Sequence, residues 1–314
     1  MRALVLGGAG FIGLHLTRRL LETGRSVTIV DDFSRGRRDV ELARLDVPVV
    51  HADLTRREAY EELPHGWDEV YMLVAVLGVR NVVNDPARVL RVNTVAVMNL
   101  LDWIEPDALL FFASTSETYA GGVNAGVVGV PTPETAPLMV EDVTAPRSTY
   151  AISKMWGEAA VVHTAREKGF PFVIGRFHNV YGPRGGTDHV IGEMSARAIR
   201  RENPFRVWGA DQARAFCYVD DATEAVVRLM GTDAAFGEIV HIGTDTETII
   251  ADLAKLVLRE ADFAPELQVL PAPPGAVARR APDLTKLRAL TGFEPRVPLE
   301  EGVRRTFAWY RDSM

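Results

Sequence analysis

The sequence has one cysteine, no long apolar run and no excess of positive charge, and each absence excludes a class of protein. A single cysteine, Cys217, cannot form an internal disulfide, and its apolar neighbours at 215–219 indicate a small buried side chain rather than a nucleophile. No stretch approaches the roughly 18 apolar residues of a membrane span, and no signal peptide is expected. The net charge of −7 gives no basic footprint for nucleic acid. We therefore expect a cytoplasmic protein without nucleic-acid or membrane partners.

The chain contains enough apolar sequence for a large core. Of its 314 residues, 47% are hydrophobic and 25% are charged, as in an ordinary globular protein. That balance excludes the disordered and fibrous classes. The length allows one large α/β domain that carries a smaller second lobe.

A glycine-rich turn lies between the first apolar run and the first helical segment. The turn, GGAGFIG at 7–13, follows a strand predicted over residues 1–6. Gly7 allows the tight turn, Gly10 removes a Cβ where backbone amides approach a phosphate, and Gly13 lets helix and strand pack closely. The free N–H groups at the start of the helix then face the anion. The pattern predicts a dinucleotide pyrophosphate site formed by Gly7, Gly10, Phe11, Ile12 and Gly13.

The second predicted strand, residues 26–30, ends in an acidic residue that suits NAD. Asp31 stands at the distance expected for the carboxylate that binds the adenosine ribose. A carboxylate there repels the additional phosphate of NADP, so the sequence favours NAD as the cofactor. Three neighbouring arginines weaken this argument, because a guanidinium at that place accepts the same phosphate; they are Arg35, Arg37 and Arg38.

Three further positions are assigned to the cofactor. A third strand, predicted over 47–50, leads to Asp53 and Leu54, which we place at the adenine end of the site. The competing interpretation makes Asp53 the N-cap of the next helix. Asn93, on a helix predicted over 86–103, is assigned to the cofactor side, although a surface amide fits the pattern equally well.

A later strand and a long loop add polar residues to the same edge of the sheet. The strand predicted over 108–113 delivers Ser114, Thr115, Ser116 and Glu117 to its carboxyl end, where ligands lie in doubly wound sheets. The segment 120–146 that follows is rich in glycine and proline and has no periodicity. Its length is typical of a functional or disordered loop, and its place favours an active-site lid.

The regular alternation of strands and helices ends with a sixth strand, predicted over 172–177. We therefore expect an NAD-binding domain at 1–177 and a substrate-binding lobe at 178–314 that is interleaved with it. The predicted fold class is α/β, with a Rossmann doubly wound parallel sheet and a smaller C-terminal lobe.

The helix after the long loop carries a phenol and an ammonium on one face. Tyr150 and Lys154 are four residues apart, so both side chains leave the same side of the helix. An ammonium there lowers the pKa of the phenol, which then serves as a base near neutral pH. The same spacing also occurs where a half-buried phenol lies beside a solvated charge, so the spacing leaves both interpretations open.

Together the motifs resemble the extended short-chain dehydrogenases that modify nucleotide sugars. The motifs, in that family's order, are GGAGFIG at 7–13, STSE at 114–117, YAISK at 150–154, RFHNVYGPR at 176–184 and ARAFCYVDD at 213–221. The likeness covers nearly the whole chain. It implies a Rossmann domain that holds NAD, a C-terminal lobe that holds a nucleotide diphosphate sugar, and a homodimer formed through two helices of the Rossmann domain.

The resemblance also implies roles for single residues. Tyr150 would remove the proton of the sugar's 4-hydroxyl while NAD accepts the hydride from carbon 4. Lys154 would bind the nicotinamide ribose, and Thr115 would hydrogen-bond the same hydroxyl. The residues at positions that grip the sugar nucleotide are Asn179, Arg214 and Arg280. Arg279 is the alternative to Arg280 as the arginine that points inward.

Glu117 decides which reaction is expected after that oxidation. A 4-ketone acidifies the hydrogen on carbon 5, and a carboxyl group beside it can remove or return a proton there. The run 115–117, with Arg147 just ahead of Tyr150, is similar to GDP-mannose 4,6-dehydratases and UDP-glucuronate decarboxylases. The likeness implies that Ser116 and Arg147 bind the group on carbon 6. We expect carbon 5 chemistry on a nucleotide sugar, with UDP favoured over GDP and dTDP, and no metal.

Three alternatives stay open. A simple 4-epimerase needs no carboxylate like Glu117, because the ketone only rotates and is reduced from its other face. The run at 176–183 is similar to GDP-mannose 3,5-epimerases, although the cysteine that these enzymes bring to the sugar is missing near 114–117. The third alternative is a sugar-nucleotide-binding protein that has lost catalysis.

The sequence differs from the family pattern at two positions near the fourth apolar run. Met72 stands where many members carry histidine, and Val74 replaces a usual alanine. Both changes predict an altered wall near the cofactor.

Overall fold

The computed structural model describes residues 1–273 and 275–314, with the backbone alone at positions 79 and 80. The strands are β1 (Arg2–Leu6), β2 (Ser26–Asp31), β3 (Val49–His51), β4 (Glu69–Met72), β5 (Leu109–Thr115), β6 (Phe172–Phe177), β7 (Val180–Tyr181), β8 (Phe205–Trp208), β9 (Ala213–Ala215), β10 (Cys217–Tyr218), β11 (Glu238–Ile242), β12 (Glu247–Ile249), β13 (Leu267–Leu270) and β14 (Arg279–Arg280). The helices are α1 (Phe11–Glu22), α2 (Val40–Ala43), α3 (Arg57–Glu61), α4 (Val79–Asn84), α5 (Pro86–Trp103), α6 (Ala120–Asn124), α7 (Ser148–Lys168), α8 (Val190–Ile199), α9 (Val219–Met230), α10 (Ile250–Glu260), α11 (Thr285–Thr291) and α12 (Leu299–Ser313). Two 3₁₀ turns lie at Ser116–Tyr119 and Asp233–Ala235.

Seven of the strands form one parallel sheet in the order β11-β6-β5-β4-β1-β2-β3. Every residue of β4 and β6 is buried, and strands that are buried on both faces belong in a parallel sheet covered by helices. The order of the strands reverses at β1, which pairs with β2 on one side and with β4 on the other. Ligands of doubly wound sheets bind outside the carboxyl ends of the strands at such a reversal. The predicted α/β class and Rossmann sheet are confirmed.

Helices cover both faces of this sheet. On one face, α1, α9 and α11 pack through Leu20, Val226 and Leu287. On the other face, α5 and α7 pack through Leu100 and Val161. All five side chains are fully buried, and each such burial is worth roughly 1.5–3 kcal/mol. This packing fixes α7, the helix that carries the predicted tyrosine and lysine, against the sheet.

A second apolar core lies beyond the sheet. It joins α8, α10 and α12 to β8 through side chains such as Phe205, Leu253 and Val303. The chain leaves the sheet after β6 and returns to it at β11, which pairs with β6 along its length. Residues after Phe177 therefore build both the smaller core and one edge of the sheet. The division into domains at residue 177 stays a prediction.

The predicted elements are present with shifted ends. The first helix begins at Phe11, inside the glycine motif at 7–13, and the second strand continues to Asp31. The fifth strand continues to Thr115, since its pairing with β6 extends through Ser114 and Thr115. Cys217 is buried as predicted, and burial raises the pKa of its thiol. Among the described residues, no helix has the length and apolar character to cross a bilayer.

Candidate active site

A cavity of about 420 Å³ opens at the carboxyl edge of the sheet, at the reversal of strand order. This volume lies in the usual range for ligand sites. The predicted site residues that line it are Gly7, Gly10, Phe11, Ile12, Gly13, Asp31, Asp53, Leu54, Thr115, Ser116, Glu117, Arg147, Tyr150, Lys154, Asn179 and Arg280. Two predicted site residues, Asn93 and Arg214, do not line it. The fold thus brings most of the predicted cofactor and substrate residues into one place.

The glycine turn fits the pyrophosphate of a dinucleotide. Gly7 has a φ of +85°, which favours glycine, and its N–H donates to the carbonyl oxygen of Val30 (2.8 Å). A Cβ on Gly13 would overlap the carbonyl oxygen of Gly7, so the close approach of α1 to β1 requires glycine there. Gly10 is the N-cap of α1, and the first turn of that helix faces the cavity. The free N–H groups of a helix N-terminus are a binding site for a phosphate anion.

Asp31 lies at the end of β2 and is only 6% exposed. Its Oδ2 accepts the N–H of Ala9 (3.0 Å), and its Oδ1 accepts the N–H of Phe33 (2.8 Å). Burial raises the pKa of this carboxyl, and the two N–H groups oppose the rise. The carboxylate is therefore tied to the glycine turn while it lines the cavity.

The three arginines near Asp31 all have other contacts. Arg38 lies over the ring of Phe33 (4.1 Å), and Arg37 over the ring of Trp309 (5.5 Å). Arg35 donates to the carbonyl of Leu77 and lies near Asp188. Arg35 and Arg37 also line the cavity, so the preference for NAD rests on the carboxylate of Asp31.

The competing interpretations of Asp53 and Asn93 are both wrong. Asp53 is not the N-cap of α3, whose N-cap is Arg56; its Oδ1 instead accepts the N–H (2.9 Å) and the hydroxyl (2.7 Å) of Thr55. Asn93 is not a surface amide. Its side chain is 2% exposed and hydrogen-bonded to both backbone groups of Val76 and to the Oγ of Ser153. Its amide therefore braces the loop that lines the cavity.

Tyr150, Lys154 and Thr115 meet in the cavity. Burial, and then the charge of Glu117, raise the pKa of Tyr150 above that of a free phenol. Thr115 lies close enough to the phenol of Tyr150 to oppose the rise of its pKa. Burial also lowers the pKa of Lys154 to about 8. Lys154 is not among the groups that shift the pKa of Tyr150 in this structure, and its ammonium donates to the carbonyl of Ala113 (2.8 Å).

Glu117 forms an ion pair with Arg280 at the carboxyl end of β5. Nη1 of Arg280 donates to Oε1 of Glu117 at 2.5 Å. Burial alone would raise the pKa of Glu117, but Arg280, and then Arg147 and Arg214, lower it below its usual value. Arg279, the alternative to Arg280, points outward to Glu247. The carboxylate therefore stays ionised beside a guanidinium.

Arg214 does not line the cavity, but its charge reaches Glu117, so its predicted contact with the substrate stays a prediction. Its Nη1 donates to the carbonyls of Ala213 (2.8 Å) and Ala278 (3.2 Å), and its Nη2 to Gln212 (2.9 Å). Burial lowers its pKa to about 10. Asn179 does line the cavity, and its Nδ2 donates to the carbonyl of Ala215 (3.1 Å).

The sequence profile of the NAD-dependent epimerase/dehydratase family matches residues 3–243. The chain belongs to this family. A UDP-N-acetyl-α-D-glucosaminuronate decarboxylase of Bacillus cytotoxicus is 31% identical, covering 99% of this chain and 98% of that protein. UDP-glucuronic acid decarboxylase 1 of Xenopus tropicalis is 30% identical, covering 100% of this chain and 73% of that protein. The solved structure of a Thermotoga maritima UDP-glucose 4-epimerase with UDP-glucose matches with a TM-score of 0.89 at 30% identity, covering 100% of this chain and 99% of that one.

Membership of the epimerase/dehydratase family confirms the expected class of activity. The protein is an NAD-dependent enzyme of nucleotide-sugar modification, built on the extended short-chain dehydrogenase fold. The alternative of a binding protein without catalysis is therefore set aside.

Arg184 is a cavity residue of this family member that the sequence interpretation did not name. Its Nη1 donates to the carbonyls of Ala9 (2.9 Å) and Gly10 (3.1 Å), and its Nε donates to Asp39 (2.7 Å). The side chain thus fastens the glycine turn to the segment after β6. Its place at the end of the motif at 176–184 is visible in the sequence. The sequence does not show, however, that this motif contacts the glycine turn.

The segment 120–146 is not an active-site lid. The N–H of Thr132 donates to the carbonyl of Ala281 (2.9 Å), and the N–H of Asp283 donates to the carbonyl of Thr132 (2.8 Å). All residues of the segment are described, and none of them lines the cavity. The segment instead supports the strand that presents Arg280.

Met72 and Val74 are both expected from the sequence to alter the wall of the cavity near the cofactor, but only one of them lines the cavity. Met72 is fully buried in the apolar core and does not line the cavity, because successive residues of a strand face opposite sides of the sheet. Val74, after the strand, does line the cavity. Of the two residues, only Val74 therefore forms part of the cavity wall.

Proposed function

We propose that the enzyme is a UDP-uronate decarboxylase, which oxidises carbon 4 of a UDP-hexuronate and releases its carbon 6 as carbon dioxide. The observation that carries this proposal is the ion pair of Glu117 with Arg280 in the cavity of Tyr150. Oxidation and reduction at carbon 4 need no such pair, so its presence points to a further step beside a charged substituent. Two relatives named above are decarboxylases of UDP-linked uronic acids, which supports the same assignment.

The first step of the proposed mechanism is the oxidation at carbon 4. Tyr150 takes the proton of the 4-hydroxyl, which Thr115 fixes by a hydrogen bond. Bound NAD supplies the acceptor for the hydride of carbon 4 and later the donor that returns it. Because burial raises the pKa of Tyr150, the phenolate needs a nearby positive charge, and Lys154 provides it while it holds the nicotinamide ribose.

The second step follows from the new ketone. The oxidised uronate is a β-keto acid, so the bond between carbons 5 and 6 breaks, its electrons enter an enolate, and carbon dioxide leaves. Arg280 and Arg147 bind the carboxylate of carbon 6 before it leaves, with Ser116 as a further donor. Glu117, ionised beside Arg280, orients the water that gives carbon 5 a proton. Hydride return to carbon 4 and proton return from Tyr150 complete the pentose.

A 4,6-dehydratase is the second candidate, and one observation favours it. The arginines near Glu117 keep the pKa of its carboxyl low, and an ionised carboxylate is the form of a base. Such a base suits removal of the carbon 5 proton of a 4-keto hexose before the hydroxyl leaves carbon 6. The 4-epimerase alternative gives Glu117 no role in the reaction, and so ranks below both.

The decisive experiment incubates the purified enzyme in deuterated water with UDP-glucuronate, UDP-N-acetylglucosaminuronate, UDP-glucose, GDP-mannose and dTDP-glucose. Mass spectrometry and NMR then identify the products. We expect carbon dioxide and a UDP-pentose with deuterium at carbon 5, formed from a uronate. A hexose product lighter by one water would establish the dehydratase instead. An epimer without deuterium at carbon 5 would contradict both candidates.

We also propose that the enzyme is a homodimer formed through α5 and α7. These helices pack against each other, and α5 leaves Met98 44% exposed. Light scattering should give about twice the chain mass of 34.5 kDa, and Met98→Glu should shift the protein toward the monomer. A wild-type protein of single-chain mass would contradict this proposal. The expected cytoplasmic location stays a prediction.

A further inference from the structure

A buried carboxylate lies one helical turn beyond Lys154 on α7. Glu158 is 4% exposed, and its partner Arg176 on β6 is 3% exposed. Nε of Arg176 donates to Oε1 of Glu158 (2.9 Å), and Nη2 donates to Oε2 (2.6 Å). The hydroxyl of Ser114 donates to the same carboxylate. Neither Glu158 nor Arg176 lines the cavity in the described structure, so the proposed mechanism assigns neither a contact with the substrate.

These contacts connect α7 with the carboxyl end of β5. Ser114 and Arg176 stand directly opposite each other in the pairing of β5 with β6, so Glu158 reaches two strands at once. Three consecutive residues of β5 face α7. Ala113 and Ser114 form hydrogen bonds with Lys154 and Glu158, and Thr115 lies beside Tyr150. A displacement of α7 along β5 would therefore disturb all three contacts together.

We propose that Glu158 is a positioning residue whose carboxylate holds α7 in register with β5 and so keeps Lys154 and Tyr150 in place at the cavity. The inference rests on the proposed roles of Lys154 and Tyr150 in the oxidation at carbon 4. It adds a residue that acts on this pair from behind the cavity.

The groups around Lys154 determine the direction of the expected effect. Tyr150 and Glu158 lie on its own helix, Glu117 lines the same cavity from the 3₁₀ turn, and Arg176 lies on β6 behind Glu158. Strand β5 contributes no charge, only a carbonyl and an aromatic ring. Burial lowers the pKa of Lys154 to about 8, and the charge of Glu158 opposes that change. Loss of the carboxylate therefore lowers the pKa of Lys154 further, and the ammonium loses its proton at a lower pH.

The first test compares Glu158→Gln with a matched control, Glu69→Gln. Glu69 is also fully buried and paired with an arginine, Arg25 (2.7 Å), but it lies on β4 away from the cavity. Both variants remove the charge of a buried carboxylate that pairs with an arginine, so both should lose stability. In Glu158→Gln alone, kcat should fall about tenfold or more, and the alkaline limb of the kcat profile should move down by about half a pH unit or more. An unchanged limb in Glu158→Gln, or an equal shift in Glu69→Gln, would overturn the proposal.

A second measurement needs no substrate. The chain has four lysines, so reductive methylation with ¹³C-formaldehyde gives few signals, and Lys154→Met identifies the signal of Lys154. The midpoint of its titration should be lower in Glu158→Gln than in the wild type, and equal midpoints would contradict the charge effect. If no sugar nucleotide is turned over, the proposed function fails while this titration still tests Glu158.

A third variant covers the case in which Glu158→Gln does not fold. Glu158→Asp keeps the charge but shortens the reach to Ser114 by one methylene. Its Lys154 signal should titrate as in the wild type, while its kcat should be lower because the register of α7 is loosened. A wild-type kcat in this variant would overturn the positioning role.

Discussion

Glu117 and Arg280 form an ion pair of 2.5 Å although 163 positions separate them in the chain. The contact arises because β14 pairs with β9 and so carries two arginines past the carboxyl end of β5. Side chains of a strand alternate, so Arg279 turns outward to Glu247 while Arg280 turns into the cavity. Arg280 therefore belongs to the candidate site, and a variant of its neighbour Arg279 can serve as the control for a variant of Arg280.

Arg280→Gln should reduce turnover of the uronate, whereas Arg279→Gln should not. A hydrogen bond to a charged group is worth about 2 kcal/mol, which corresponds to roughly a thirtyfold loss in kcat/KM. Arg279 is exposed, and its pair with Glu247 contributes little. Steady-state kinetics with the substrate identified in the panel measures both variants. Equal losses in the two variants would show that Arg280 has no special role.

Tyr150→Phe should lower kcat by about 10² to 10⁴, the usual contribution of a positioned acid or base. Tyr60→Phe is a matched control, because its hydroxyl is also buried and donates to the carbonyl of Ala96 (3.0 Å) away from the cavity. That control should lose about 1 kcal/mol of folding stability and keep its activity. Single-turnover absorbance of the reduced cofactor measures the first step. A Tyr150→Phe enzyme that still reduces bound NAD at the wild-type rate would refute the assignment of the base.

The sequence alone predicts the sheet, the glycine turn and the carboxyl-end residues, because these depend on local patterns. Apolar runs buried on both faces indicate parallel strands, and the edge they share brings Thr115, Glu117 and Asp31 together. The direction of a polar side chain depends instead on competing backbone partners that are distant in sequence. Asn93 satisfies its amide on Val76, and Arg214 satisfies its guanidinium on carbonyls at 277 and 278, so neither residue lines the cavity.

The same limit applies to the Tyr150 and Lys154 pair. Spacing of four residues puts both groups on one face of a helix, but it does not show how deeply that face is buried. Burial sets both pKa values, and the carbonyl of Ala113 takes the ammonium. The pKa values of the two groups and the partner of the ammonium therefore depend on packing against β5, which the spacing along a helix does not show.

The activity should fall as the pH rises through about 8. Burial lowers the pKa of Lys154 to about 8, so its ammonium is present below that pH and is lost above it. The phenolate of Tyr150 needs that positive charge, which gives kcat an alkaline limb near pH 8. Lys154→Arg keeps its charge at every pH used, so its residual activity should lack this limb. A wild-type profile that stays flat to pH 10 would contradict the role of the ammonium.

Gly13→Ala should abolish tight binding of NAD, because the site has no space for a methyl group. A Cβ at this position would overlap the carbonyl oxygen of Gly7 and the Cα of Gly8, which are backbone atoms and cannot turn away. The helix must then move off the strand, at about 1–3 kcal/mol, and its N-terminus leaves the pyrophosphate. Gly129→Ala is the control, since no atom lies within 4 Å of its Cβ position. Calorimetric titration with NAD should show at least a tenfold loss for the first variant and none for the second, and equal affinities would remove the glycine turn from the cofactor site.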